Sequence, residues 1–218
     1  MKWTIVLLAV LAPALARRHF DFANFSSGAR LLPVKEAPAH AVVDKVCGGA
    51  SVAHTVSGVA LREDGVKITM GTCSPGLRGS SRGLDSRATK VPLPDSREAG
   101  DECATPCRTV CFKGTQSPVS ADCQVVFNAL AEGNKNFTLP NNNFVLYTYQ
   151  TCGTSFTNQI AGGTEPQELS SCYSDWKTVG QDIASQCTSD AGFAGGKCVA
   201  RYGSFVAVPD WYLMVYNT

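Results

Sequence analysis

Ten cysteines in 218 residues constrain the fold of this chain more than any other feature. Their number is even, and none lies before residue 47. An exporting compartment oxidises such thiols to disulfides, whereas the cytosol keeps them reduced. We therefore expect a disulfide-stabilised exported protein, although the sequence leaves the pairing open. The cysteines are Cys47, Cys73, Cys103, Cys107, Cys111, Cys123, Cys152, Cys172, Cys187 and Cys198.

The first 16 residues have the pattern of a secretory signal peptide. Lys2 supplies a positive charge, and Trp3 to Leu11 form an apolar core that is much shorter than the ~20 residues of a membrane span. Ala14 and Ala16 form an A-x-A cleavage site. We expect residues 1–16 to be removed and the product to be secreted to the extracellular space, without an integral membrane segment.

The charge balance gives no indication of a polyanionic partner. Nineteen Lys and Arg face 18 Asp and Glu, for a net charge of +1. This balance argues against nucleic acid and against an anionic membrane surface as partners. Sequons at Asn24 and Asn136 fit N-glycosylation on the secretory route. We expect a monomer.

Composition divides the chain after the leader into four parts. Residues 17–45 are weakly patterned and predict a flexible N-terminal stretch. Residues 46–73 predict a β-hairpin around the turn Glu63-Asp64-Gly65, with cysteines placed to close its open end. Residues 74–102, with four arginines and several Gly and Ser, predict a linker or mobile loop. Residues 103–218 predict the cysteine-rich domain.

Two helices are predicted in the cysteine-rich domain. The first opens with Ser117 as N-cap and Pro118 at the first helical position and ends near Gly133. The second runs from Asp175 to Cys187 with Ser174 as cap. Each has one apolar stripe. The stripes are Val119, Cys123, Val126 and Leu130 in the first helix and Trp176, Val179, Ile183 and Cys187 in the second.

Strands are predicted between and around these helices. Their ranges are 108–112, 137–139, 144–149, 152–158 and 197–208, with 161–170 as a loop and 210–216 as a short edge strand. A sheet with both helices on one face buries these elements most simply. The predicted fold class is therefore α+β, a disulfide-rich α/β sandwich with an antiparallel sheet, two helices on one face and an N-terminal β-hairpin extension. Bridges from Cys123 and Cys187 would attach the helices to strands.

Three short motifs carry a resemblance to a known family. Ser117 to Cys123 reads SPVSADC and resembles the S-P-x-x-x-D-C helix opening of fungal secreted necrosis-inducing effectors. Val179 to Ile183 and Gly195 to Cys198 also fit the layout of that family, and the resemblance covers residues 107–208. It implies an α/β sandwich shared with the viral killer toxins of smut fungi. It also implies damage to host or competitor cells without enzymatic turnover, and it provides no catalytic residues.

Motifs for catalysis are mostly missing from the sequence. The three histidines are His19, His40 and His54, all upstream of the cysteine-rich domain, where a Ser-His-Asp or Cys-His site would need an imidazole. The spacing of Cys103, Cys107 and Cys111 lacks the second knuckle of a zinc site. No phosphate-binding or dinucleotide motif occurs. We expect no enzyme activity, no metal and no cofactor.

The remaining hypothesis is binding to an unknown surface component of another cell. Tyr and Asn are favoured contact residues, and they cluster near the predicted turn between strands. The candidate binding residues are Asn141, Asn142, Asn143, Tyr147, Tyr149, Lys177 and Lys197. The alternatives are an extracellular or cell-wall structural protein and a secreted hydrolase with an unrecognised site. Converging acids in a cleft would favour the hydrolase.

Overall fold

A computed structural model describes residues 29–48, 53–74, 107–133, 136–159, 168–200 and 211–218. The helices are α1 (His40–Val46), α2 (Ser120–Ala131) and α3 (Tyr173–Gln186). The strands are β1 (Arg30–Leu32), β2 (His54–Leu61), β3 (Lys67–Cys73), β4 (Arg108–Lys113), β5 (Asn136–Leu139), β6 (Asn143–Tyr149), β7 (Cys152–Asn158), β8 (Leu169–Cys172), β9 (Phe193–Ala200) and β10 (Trp211–Asn217). The predicted signal peptide, the sequon at Asn24 and the predicted linker after residue 74 lie outside the described residues.

Eight strands form one antiparallel sheet, in the order β1-β2-β3-β6-β7-β10-β9-β4. The predicted hairpin is β2 and β3, and β3 pairs with β6, so the hairpin continues the sheet of the cysteine-rich region. The α+β sandwich is thereby confirmed. A separate two-stranded sheet pairs β5 with β8, where residues 169 and 170 were predicted to be loop.

The C-terminal strand is not the edge strand that we predicted. β10 lies between β7 and β9, and its residues 211–216 are all buried. The reason is visible in its composition, Trp-Tyr-Leu-Met-Val-Tyr, because a strand covered on both faces is apolar at successive positions. The preceding strand, β9, ends at Ala200, and residues 201–210 lie outside the described residues.

One side of the sheet, which we call the helix face, carries α2 and α3. Its inward side chains include Val145, Phe156 and Leu213, which join both predicted helix stripes in one core. The stripe prediction holds for seven of the eight residues, whereas Val119 is 52% exposed. Gly180 lets the helices approach closely, because a Cβ there would lie 2.7 Å from Phe127 Cε1.

Both helices begin at residues other than those predicted. Val119, not Ser117, is the N-cap of α2, and it makes no side-chain cap. A side chain from outside the helix takes over part of the capping role: Oγ1 of Thr151, between β6 and β7, accepts the Val119 N–H at 2.9 Å. The Thr151 hydroxyl in turn donates to the Asp122 carboxylate at 2.6 Å. Cys172 replaces Ser174 as the N-cap of α3.

The opposite side of the sheet is covered by residues 33–48, which we call the strap. The strap consists of a 3-10 turn (Val34–Glu36) and α1, and most of it falls within residues 17–45, which we predicted to be a flexible stretch. Val42, Val43 and Val46 of α1 pack against strand residues such as Leu146 and Met214. We call this side of the sheet the strap face.

Four disulfides join cysteines that both lie in the described part of the chain, and three of them connect the layers. Cys123–Cys152 attaches α2 to β7, and Cys111–Cys187 attaches the end of α3 to β4, as predicted for both helices. Cys107, directly before β4, is bonded to Cys198 of the neighbouring strand β9, and Cys47–Cys73 joins the strap to β3. Cys172 is also disulfide-bonded, so every cysteine among the described residues is oxidised. This bonding indicates an oxidising compartment.

Candidate functional site

The predicted asparagine turn lies at one end of the sheet, between β5 and β6. Asn142 adopts a left-handed conformation with φ of 59°, which asparagine tolerates better than most residues. Its carbonyl oxygen accepts the Cys73 N–H at 2.8 Å, which fixes the turn to β3. The side-chain amide of Asn143 donates to the backbone carbonyl of Asn141 at 2.9 Å. The turn is therefore a rigid polar feature beside the Cys47–Cys73 bridge.

A histidine–carboxylate cluster lies one strand away from this turn. His54 pairs with Cys73 across β2 and β3, and its Nδ1 lies 3.4 Å from Asp44 Oδ1 of α1. The ring of His40 lies 5.1 Å from the ring of His54, centroid to centroid. We call the turn and this cluster together the asparagine end; its members are Asn141, Asn142, Asn143, His40, Asp44 and His54.

The asparagine end can recognise a partner through hydrogen bonds. It combines amide groups and the His54 imidazole on backbone that is held by a disulfide and by sheet pairing. The His40 imidazole and the Asp44 carboxylate are contributed by α1. Asn141 Oδ1 is buried without a hydrogen-bond partner among the described residues, so this oxygen is not itself a surface contact atom in this conformation. Within the described ranges, no group of three or more His, Cys, Asp or Glu has the arrangement of a metal site.

The other predicted binding residues do not join the asparagine end. Tyr149 lies at the opposite end of β6, ~20 Å away at the rise of an extended strand, against Gly65. Tyr147 is 2% exposed on the helix face, with its ring edge-on to Trp176. Tyr147 is thus a core residue and offers no contact surface in this conformation. Lys177 belongs to α3, in the helix layer.

Lys197 lies on the strap face of β9. Its Nζ lies 5.8 Å from the centroid of the Tyr212 ring, over the ring. Burial lowers the pKa of the Lys197 ammonium, because a less hydrated environment disfavours the charged form. The seven predicted binding residues therefore occupy both ends of the sheet and both of its faces, and Asn141 to Asn143 are the ones that lie together.

The sequon at Asn136 opens β5. Asn136 and Thr138 are exposed, and Phe137 between them is buried against Phe156 and Trp176. The alternation of side chains along the strand thus directs Asn136 and Thr138, the two residues that define the sequon, away from the core. Modification at this position stays a prediction.

Sequence reasoning did not find the histidine cluster. Asp44 and His40 belong to α1, a seven-residue helix in a stretch without a strong periodic pattern. The available signal was Val42, Val43 and Val46, whose spacing places three apolar residues on one side of a short helix. The contact between α1 and β2 depends on the strap crossing the sheet, and that path is not encoded locally.

Comparisons with family models, curated proteins and solved structures give no match for this chain. The resemblance to necrosis-inducing effectors therefore remains a prediction. Among the described helices, none has the length and apolar character needed to cross a membrane. The fold and its bridges identify a disulfide-rich α/β protein, consistent with secretion.

Proposed function

We propose that this chain is a secreted effector- or toxin-like protein that acts on host or competitor cells by binding, without catalysis. The observation that carries the proposal is the asparagine turn, which is held in place by a disulfide-linked strand end. Binding residues are commonly found on loops that a rigid scaffold positions. A contact surface that is ordered before binding loses less entropy on association.

Two further observations support this proposal. The bridges reach both helices and the strap, so that a folded surface can persist in an oxidising extracellular medium. Asp122 of the SPVSADC motif orders the adjoining strand turn through Thr151, which gives this part of the family resemblance a structural role. We assign the contact to the asparagine end and leave the partner as an unknown surface component of another cell.

Ion leakage from plant leaf tissue tests the activity. The oxidised mature protein is infiltrated, and a reduced and alkylated sample serves as control. We expect leakage with the oxidised sample alone, because the contact surface depends on the folded state. No leakage at a generous dose would remove support from the effector proposal and favour the cell-wall role.

A variant pair tests the assigned surface. Asn142→Gly removes the side-chain amide and keeps the left-handed backbone, which glycine adopts readily. The matched control is Gln124→Ala, which removes an exposed amide from α2 in the helix layer. We expect N142G to lose leakage while thermal stability stays near wild type, and Q124A to retain both. Equal leakage from the two variants would exclude the asparagine turn from the contact.

A further inference from the structure

The strap face contains an unusual set of buried hydroxyl groups. Thr69 and Ser155 are 0% exposed and Tyr216 is 1% exposed. Their side-chain oxygens have no hydrogen-bond partner among the described residues. Most buried polar groups in native proteins are paired, so each of these hydroxyls makes the covered state less stable.

Sheet register places all three hydroxyl groups on the same face. Thr69 pairs with Leu146, Leu146 with Ser155, and Ser155 with Met214, so these residues form one row across four strands. Leu146 and Met214 belong to the core beneath the strap, as does Tyr216. By contrast, Thr154 points to the helix face, where its hydroxyl donates to the Met214 carbonyl at 2.8 Å.

Before its C-terminal end, the strap makes polar contacts with the sheet through exposed or partly exposed groups, among them Asp44, which lies 3.4 Å from His54 of β2. α1 has seven residues, and its N-cap Ala39 makes no side-chain cap. Isolated helices of this length are unstable in water, so α1 depends on its contacts with the sheet. At its start, Lys67 Nζ of the sheet donates to the Glu36 carbonyl at 3.0 Å on the exposed surface.

The strap is covalently fixed at its C-terminal end. Cys47 is bonded to Cys73. The backbone carbonyl of the residue before it, Val46, accepts hydrogen bonds from the Tyr212 and Thr157 hydroxyls. An opening motion would therefore pivot at the bridge and leave the strap attached. The opened face would give the three hydroxyls access to water and hydrate Lys197, whose pKa burial lowers.

We propose that residues 33–48 open as a unit about the Cys47–Cys73 bridge and expose the strap face of the sheet. The closed position is held by Val42, Val43 and Val46, and it is opposed by the buried hydroxyls of Thr69, Ser155 and Tyr216. Such local opening separates from global unfolding when one segment is less stable than the rest. The strap thereby controls access to a hydroxyl- and tyrosine-bearing sheet face.

Amide hydrogen exchange on the full oxidised protein tests this proposal. The probes are the Val42 and Cys47 amides, which donate within and at the end of α1, and the amides of β7 serve as the internal reference. We expect the strap amides to exchange faster than those of β7. Equal protection of the strap and β7 would overturn the proposal.

Removal of the buried hydroxyls tests whether they oppose the closed position of the strap. Thr69→Val, Ser155→Ala and Tyr216→Phe each delete a group that is unpaired in the closed state, so strap exchange should slow by roughly 10-fold per variant. The matched control is Thr154→Val, which removes a paired hydroxyl on the helix face and should not slow the strap. Unchanged or faster strap exchange in folded Thr69→Val and Tyr216→Phe proteins would refute the mechanism.

Discussion

Among the four bridges whose two cysteines the structure describes, the two with the longest loops are nested, so the larger loop is not expected to contribute more stability in proportion to its length. Cys107–Cys198 encloses 91 residues and Cys111–Cys187 encloses 76. With the inner bridge intact, breaking the outer one releases only the 15 residues by which the loops differ. Loop-closure entropy assigns about 3 kcal/mol to a loop of that size, against about 4.6 kcal/mol for an isolated loop of 91 residues.

Cys123–Cys152 provides the comparison. It encloses 29 residues, for which the same relation gives about 3.6 kcal/mol. Both of its cysteines are buried to 2% exposure or less, so their removal also leaves a small cavity in the helix-face core. The pair C107A/C198A should therefore destabilise the protein no more than C123A/C152A, although its loop spans three times as much chain.

Urea unfolding under non-reducing conditions measures both variants. Tryptophan fluorescence and circular dichroism should give coincident transitions, which licenses a two-state free energy of unfolding. If C107A/C198A lost about 1 kcal/mol more than C123A/C152A, the loops would act independently and the nested-loop reasoning would be wrong.

Three other properties can be tested. Gly180→Ala gains about 1 kcal/mol of helix propensity, but its Cβ would lie 2.7 Å from the Phe127 ring. Urea unfolding should therefore show a net loss of about 1 kcal/mol in the free energy of unfolding. A net gain would mean that the ring moves aside. Burial raises the pKa of four tyrosines above the ordinary value of about 10. They are Tyr147, Tyr173, Tyr212 and Tyr216. Their stabilising contribution is complete below pH ~10 and falls above it, so absorbance at alkaline pH should show their ionisation together with unfolding rather than before it. Secretion from a eukaryotic host should give a glycan at Asn136 that Thr138→Ala removes and Thr138→Ser retains; an unmodified Asn136 peptide from the secreted wild type would contradict this.

Much of the cysteine-rich region could be predicted because its signals are local. The stripe of α3, the strand from Cys152 to Asn158 and the turn at Asn142 follow from periodicity and turn chemistry in short windows. The α2 start was misplaced because Thr151, distant in sequence, satisfies its first amide. Caps supplied from another element leave no trace in the local sequence.

The candidate site was harder to predict for the same reason. The local sequence predicted a turn at Asn142. Its hydrogen bond with Cys73 and its proximity to His54, however, depend on the order of the strands in the sheet. Tyr147 was proposed as a contact residue because an aromatic residue in a strand has the same local signal on either face. Its burial beside Trp176 required the register of β6 in the sheet.

The sequence by itself determined the redox class, the α+β character and the helix stripes that bury against a sheet, since these depend on composition and on periodicity within one segment. Tertiary structure decided the position of β10 inside the sheet, the pairing of the cysteines and the path of the strap over the second face. Each of these depends on contacts between residues far apart in the chain, whose free energy is gained only when the whole sheet has formed.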